Sequence, residues 1–527
     1  MNLAAHFNRN RNNSYFGPNI TTNLVTNKAH WNSDYDATCT PATIRPGVVD
    51  AVDNCGNFYK SRINPSDTGN IRFSSLWHLL DDLTLTVDSN LQYVLANGGG
   101  NTTQAEHNAV MTGSYGYVSA ASTAIVSPFG CIQASNGGCD LNGDGDILDT
   151  VRIYRPSTTN TRRWGFNTSL IYAITEGHTI RAAYTLDYGL HRQTGQMALL
   201  GPDGSPYSVW AGLDDPEHRI HTADGADLRY RDRKSKAILN QASMDYQGDF
   251  FDGMVQTSLG FRLPFFERDL NQYCYQIIRS TNPYCTSQIP SAVGPDNTVT
   301  FAGSSTKYIP PDSGVFRYNR FLPHLGISTK PFGDEHQFFA AFTKELAAPR
   351  TDNLYASNGT IDSPTTAVDI YSAFDGATPE TSTSYTVGYR FIGESLNASL
   401  SAWNSQVKNR LISTWDQEAQ ISTYHSVPGI NFAGIDADAS YNVTDDLSVY
   451  GSASFMNARL ISDIVVGGTA SAPIYAYTGG KTLAETPHWT FTGRVQYKPL
   501  PELRFGLGGK YVGKRFATDT NNISVPD

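Results

Sequence analysis

The chain has 527 residues and a formal net charge of −10, and only 17% of its residues are charged, against roughly 25% in an ordinary soluble domain. Aromatics reach 12%, with 29 Tyr and 25 Phe beside 46 Gly, a composition that suits strands and turns better than a helical or α/β enzyme. The acidic balance argues against a nucleic-acid partner, which needs clustered cations, and no apolar run reaches the ~20 residues of a membrane-spanning helix.

Strand-like stretches begin near residues 2–10 and then come in pairs joined by short turns. The first turns fall at Asp81-Asp82, Thr175-Glu176-Gly177, Asp249 to Asp252 and Pro331 to Glu335. Further on the alternation is explicit. Tyr385, Val387, Tyr389 and Phe391 interleave with Thr386, Gly388 and Arg390, and after Gly393-Glu394-Ser395 the residues Leu396, Ala398, Leu400 and Ala402 oppose Asn397, Ser399 and Ser401. Ala433 to Tyr441 and Leu447 to Phe455 repeat the pattern around Asn442 to Asp446. Trp489 to Tyr497 and Leu503 to Tyr511 repeat it around Pro499 to Glu502. Period two with one apolar face describes a strand between two different environments. The template counts about fifteen strands, one at the start and then seven hairpins.

The segments between hairpins, such as 97–161, 193–235 and 270–314, are long and polar. A soluble domain rarely carries so many long connections. A transmembrane barrel requires them: short periplasmic turns, long extracellular loops, and strands alternating lipid-facing and lumen-facing. Trp77, Trp164, Tyr172, Trp489 and Tyr497 near strand ends suit the interfacial girdles. No shared repeat of about 40–50 residues marks a propeller. The fold class is therefore an all-β, antiparallel transmembrane β-barrel.

Several stretches resemble the TonB-dependent outer-membrane receptors. Phe321-Leu322-Pro323 resembles their "F-x-P-x-x-G" strand, and Phe342-Thr343-Lys344 running into Ala348-Pro349-Arg350 and Leu354-Tyr355 resembles "S-x-G-F-R-A-P-x-x-x-E-L-Y". In the latter, Glu345-Leu346-Ala347 replaces the usual Gly and aromatic. Pro379-Glu380-Thr381-Ser382 before Tyr385 and Gly388 is similar to "P-E-x-S-x-x-Y-E-x-G", and Asn431 to Asp438 to "N-x-x-G-x-E" with Asp436 for the Glu. Thr486-Pro487-His488-Trp489 with Tyr511-Val512-Gly513-Lys514-Arg515-Phe516 resembles "T-P-x-W … Y-V-G-x-R-Y". Order and spacing over 315–520 carry the match; residues 1–300 share mainly the hairpin rhythm.

The resemblance implies an outer-membrane barrel of about twenty-two strands with a plug inside it. It places the whole chain, 1–527, within the barrel as a fragment, at roughly the fifth to the nineteenth strand, with plug and last strands absent. It implies no enzyme. The implied function is uptake of a scarce ligand, foremost an iron–siderophore complex, driven by the inner-membrane partner TonB through the missing N-terminal region. The competing expectation is a passive porin-like barrel without a plug, and a third is a soluble, disulfide-held β-rich binding protein or hydrolase. Outer-membrane lipid is a partner in either barrel reading.

Six cysteines form three local pairs, Cys39 with Cys55, Cys131 with Cys139 and Cys274 with Cys285. Close pairing without Cys-x-x-Cys or neighbouring His predicts loop-closing disulfides in an oxidising compartment. The sharpest local motif is Asp140-x-Asn142-x-Asp144-Gly145-Asp146-x-x-Asp149. Oxygen ligands at alternate positions with Gly at the sixth predict a Ca²⁺ loop. Its twelfth position is Val151, so the usual bidentate carboxylate is lacking unless Asp149 replaces it; a plain acidic turn is the competing reading. No catalytic set appears: His218, His221 and Asp224 lie near no nucleophile at fixed spacing, and Gly98-Gly99-Gly100 lacks the strand–helix context of a phosphate loop. The run Arg229-Tyr230-Arg231-Asp232-Arg233-Lys234 suits ligand capture or lipopolysaccharide phosphates, against a structural rim cluster. Ligand-contacting residues are not identified by the sequence.

Overall fold

The computed structural model describes residues 1–13, 36–106, 131–132, 138–221, 226–277, 283–285, 289–295, 297–301, 307–355, 378–416, 421–427, 429–469 and 472–525. The hairpin rhythm becomes one antiparallel sheet of 16 strands. Its first half holds β1 (Asn2–Asn13), β2 (Ile63–Leu80), β3 (Leu83–Asn97), β4 (Thr158–Thr175), β5 (His178–Thr194), β6 (Arg233–Phe250) and β7 (Val255–Gln272). Next come β8 (Asp312–Asn319), β9 (Leu322–Thr329), β10 (His336–Ala347), β11 (Glu380–Ile392) and β12 (Leu396–Lys408). The last are β13 (Ile430–Asn442), β14 (Leu447–Leu460), β15 (Trp489–Leu500) and β16 (Leu503–Val512).

β8 and β9 both lie on β7, β8 against Phe265–Gln272 and β9 against Val255–Arg262. They are one strand interrupted at Arg320-Phe321, beside Pro323, which has no N–H to give the ladder. The 16 strands thus occupy fifteen positions, the number expected from the hairpin count. Among the described residues the sheet does not close on itself: β1 pairs only with β2, and β16 only with β15.

Cross-strand register shows two faces. Paired residues share a face, so rows can be followed around the sheet. One row runs Leu83, Tyr172, Ile180, Tyr246, Leu259, Leu325, Phe342, Tyr385. Another runs Phe338, Tyr389, Leu400, Ala437, Ala453, Phe491, Tyr511. One residue away in each strand, the opposite face reads Arg181, Asp245, Gly260, His324, Thr343, Ser384, Ser405. The second such row reads Gln337, Arg390, Ser399, Asp438, Ser452, Thr492, Lys510. The apolar face is exposed on large side chains; Leu400 keeps 51% of its surface and Leu507 79%. Side chains of this kind left uncovered over a whole sheet belong against lipid, and the polar rows line a lumen. Trp77, Trp164, Tyr172, Trp489 and Tyr497 are all on the apolar face and exposed, as the girdle reading requires.

All short turns share one end of the sheet. Glu176-Gly177 turns with Gly177 at φ 84°, and the β6–β7 turn places Phe251 and Asp252 at φ 56° and 54°, followed by Gly253 at 82°. Successive left-handed residues match the right-handed twist of the flanking strands. The long connections 14–62, 98–157, 195–232, 273–311, 348–379, 409–429 and 461–488 all leave the other end.

Candidate functional site

The described parts of the long connections above β2 to β6 pack into a body of their own. Gly100–Ala105 pairs with Thr150–Arg155, and Ala198–Leu199 adds a third short strand on the far side. Behind it Leu141, Ile153, Met197, Leu199, Ile220 and Leu228 form a buried core. Each such aliphatic side chain contributes about 1.5–3 kcal/mol of burial. Gly99 approaches Tyr154 so closely that a Cβ would sit 2.1 Å from its hydroxyl. Gly99 is thus a packing device for this body, while Gly100 has open space beside it. Segment 36–62 docks on the same body: Arg152 pairs with Asp53, and Asn101 Nδ2 donates to the Cys55 carbonyl at 3.2 Å. Disulfides Cys39–Cys55 and Cys274–Cys285 close two of the loops. Cys139 is disulfide-bonded as well, and its backbone partner in the ladder is Cys131, whose side chain lies outside the described residues.

The acidic motif sits at the end of this small sheet. Asp140 accepts N–H groups of Gly143 (2.6 Å) and Gly145 (3.0 Å), and these glycines take φ 84° and 92°. Asn142 Oδ1 accepts Asp144 N–H at 3.1 Å, and its amide donates to Asp149 Oδ2 at 2.7 Å. Asp146 accepts the Leu148 N–H at 2.8 Å and the Gly47 N–H at 2.6 Å. Two further carboxylates join that no local spacing indicated. Glu106 is fully buried, and its two oxygens take the N–H groups of Leu141 (2.7 Å) and Asp149 (2.9 Å). Asp50, 7% exposed, donates its N–H to Asp149 Oδ1 at 2.6 Å. Burial pushes the Glu106 carboxyl up to about 7, reinforced by the Asp140 and Asp149 charges. A cavity of about 470 Å³ opens beside the group, lined by Asp50, Asn142, Asp149, Arg152, Tyr207 and His218.

The basic run is mostly neutralised. Arg229 bridges Asp227 (2.7 Å) and Asp232 (2.6 Å), and Arg233 holds Asp352 at 2.6 Å. Arg233 also lies over the Tyr355 ring, 4.4 Å from its centroid. The Tyr355 hydroxyl accepts the Asn271 N–H at 3.0 Å and donates to the Lys234 carbonyl at 3.0 Å, tying segment 348–355 to β6 and β7. Arg231 differs. It donates to Ser157 and lies against Tyr230, and burial with the nearby Arg233 charge pushes its guanidinium down to about 10. Arg268 on the lumen face donates, among the described residues, to the carbonyls of Pro349 and Glu267, both at 3.1 Å. His218 pairs with Asp215 at 2.9 Å and stacks on Tyr207, and His221 pairs with Asp227 at 3.1 Å; Asp224 lies outside the described residues. Among the described residues each of these histidines is held by an aspartate carboxylate, with no serine or cysteine paired to it.

The family model for the TonB dependent receptor-like β-barrel matches residues 6–527. The chain belongs to that family. TonB-dependent receptors are bacterial outer-membrane transporters, not enzymes, so the short turns of this receptor barrel face the periplasm and its long loops the exterior. Solved structures agree in fold. The ferric yersiniabactin uptake receptor FyuA from Yersinia pestis superposes with TM-score 0.51 at 9% identity, over 88% of this chain and 52% of that one. The siderophore receptor PiuA from Acinetobacter baumannii gives 0.53 at 12%, over 99% and 63%. The ferric-catecholate import receptor Fiu from E. coli K12 gives 0.50 at 14%, over 87% and 56%. This receptor chain therefore spans little more than half the length of those proteins. No curated protein matches its sequence.

Proposed function

We propose that this receptor barrel serves active uptake of a ferric siderophore across the outer membrane, with TonB supplying the drive. The observation that carries the reading is the two-faced register, apolar outside and polar inside, combined with membership of the receptor family. Neighbours named for ferric chelates favour iron as cargo. The lumen end offers Arg231 and Arg268, whose partners among the described residues are neutral groups, a setting that suits an anionic chelate. In lipid the free edges of β1 and β16 cost several kcal/mol for each unpaired backbone group. We infer that the sheet is one part, spanning all of 1–527, of a larger closed barrel.

The test is uptake of radiolabelled iron, presented on single siderophores, by the bacterium that carries the gene, with and without the gene and with and without TonB. Loss of uptake in both deletions is the expected result. Uptake untouched by the gene deletion overturns the cargo, and uptake that needs the gene but survives TonB loss turns the reading to a passive pore.

A further inference from the structure

We propose that Glu106, Asp140, Asn142, Asp144, Asp146 and Asp149, with Asp50 beside them, form a Ca²⁺ site that fastens three outer-loop stretches together. The motif alone lacked a carboxylate at its twelfth position, which is Val151. The fold supplies one from elsewhere. The ladder between Gly100–Ala105 and Thr150–Arg155 ends at the pair Ala105 and Thr150. The next residues outward are Glu106 and Asp149, joined by the Glu106 N–H to the Asp149 carbonyl at 2.9 Å. Glu106 is thereby set opposite the Asp140–Asp149 turn, far from it in sequence and against it in space.

Distances fit a cation. One carboxylate oxygen each from Asp50, Asp144 and Asp149 lie within 4.8 Å of one another, as do one each from Glu106, Asp146 and Asp149. Two oxygens bound to a single Ca²⁺ at about 2.4 Å are at most about 4.8 Å apart. Asp149 belongs to both sets, so an ion between them reaches either.

A further sign of a ligand is Asp144 Oδ2, the enclosed oxygen of a side chain that is otherwise partly exposed. This oxygen is inaccessible to solvent and has no hydrogen-bond partner, while Oδ1 of the same group accepts the Asp146 N–H at 2.9 Å. A buried acceptor without a donor is uncommon and calls for an ion or a water. Charge points to the ion. Glu106 is 0% and Asp149 3% exposed. Among the described residues no Lys or Arg pairs with Glu106, Asp144, Asp146 or Asp149, whereas neighbouring Asp50 and Asp53 have Arg45 and Arg152. Buried carboxylates left without a counter-charge are costly. An all-oxygen set with this many carboxylates selects a hard cation of flexible coordination, Ca²⁺ over Zn²⁺ or Mg²⁺.

The experiment is Ca²⁺ binding to the whole purified protein in detergent, read by equilibrium dialysis with radioactive calcium after chelator treatment, with excess Mg²⁺ as competitor. Saturable uptake of a single ion is expected, with Kd between about 10⁻⁶ and 10⁻³ M. Glu106→Gln and Asp144→Asn should each weaken it tenfold or more, while Asp463→Asn, an exposed carboxylate in the separate 461–488 connection, leaves it unchanged. Asp144→Asn serves alone where Glu106→Gln fails to fold, because Asp144 is the less buried of the two. No saturable uptake at 10 mM, displacement by equal Mg²⁺, or affinity indifferent to Asp144→Asn overturns the proposal. None of these outcomes bears on iron transport, which is read separately.

Discussion

Placing an arginine at two adjacent residues of β14 tests the assignment of the sheet's faces. Ala453 lies mid-strand between Ala437 and Phe491 on the apolar face, and Ser452 lies between Asp438 and Thr492 on the polar one. Ala453→Arg puts a charge into hydrocarbon near the midplane, at a cost of about 2–4 kcal/mol, or roughly 30- to 700-fold in the folding equilibrium. Ser452→Arg instead faces Asp438 directly, and an opposite-charge cross-strand pair contributes about 0.2–1 kcal/mol in favour. The two variants differ by one position and should differ by about 2–5 kcal/mol in stability. Urea unfolding of the protein in lipid vesicles, followed by tryptophan fluorescence, measures the gap. Equal losses, or a larger loss for Ser452→Arg, would refute the assignment of lipid and lumen faces.

Three further outcomes are expected. Gly260→Ala should lower the melting temperature, since the new Cβ would meet His324 Cε1 at 2.5 Å and the Met244 carbonyl at 2.6 Å. The carbonyl cannot move aside, so about 1–3 kcal/mol is lost, whereas Gly509→Ala, with nothing within 4 Å, should melt as wild type. Tyr355→Phe removes the hydroxyl that serves Asn271 and Lys234 and should cost about 1–3 kcal/mol locally. Faster protease cleavage in 348–355 with unchanged melting of the sheet is the readout. Breaking Cys39–Cys55 by Cys39→Ser with Cys55→Ser frees a loop closed over a separation of 16 residues, worth about 3 kcal/mol in chain entropy. Cleavage should then appear within 36–62 while the strands stay protected.

The hairpins were legible because both their signals are local. Alternation in stretches such as Leu396 to Ala402 fixes a face within a few residues, and Gly177 or Gly393-Glu394-Ser395 marks the reversal. The break between β8 and β9 had its sign in Pro323, although the hairpin template read through it as one strand. The outer-loop body was not legible. Its core takes Leu141, Ile153, Leu199, Ile220 and Leu228 from connections that read as polar, because isolated aliphatic residues in Gly-rich segments have no period. Glu106 escaped for a similar reason: its role depends on a ladder that brings it beside Asp149, and spacing along the chain carries no trace of that pairing. The basic run was legible as charge but not as balance, since Asp227 and Asp352 come from either side to meet Arg229 and Arg233.

A connection with its own hydrophobic centre behaves differently from a tether. The body built from 36–62, 98–157 and 195–232 carries a buried cluster and ion pairs running between its segments, such as Lys60 with Asp203. The described parts of these connections are therefore held to one another as a single packed unit. A ligand reaching this side of the sheet thus meets a preformed wall of packed side chains rather than separate tethers.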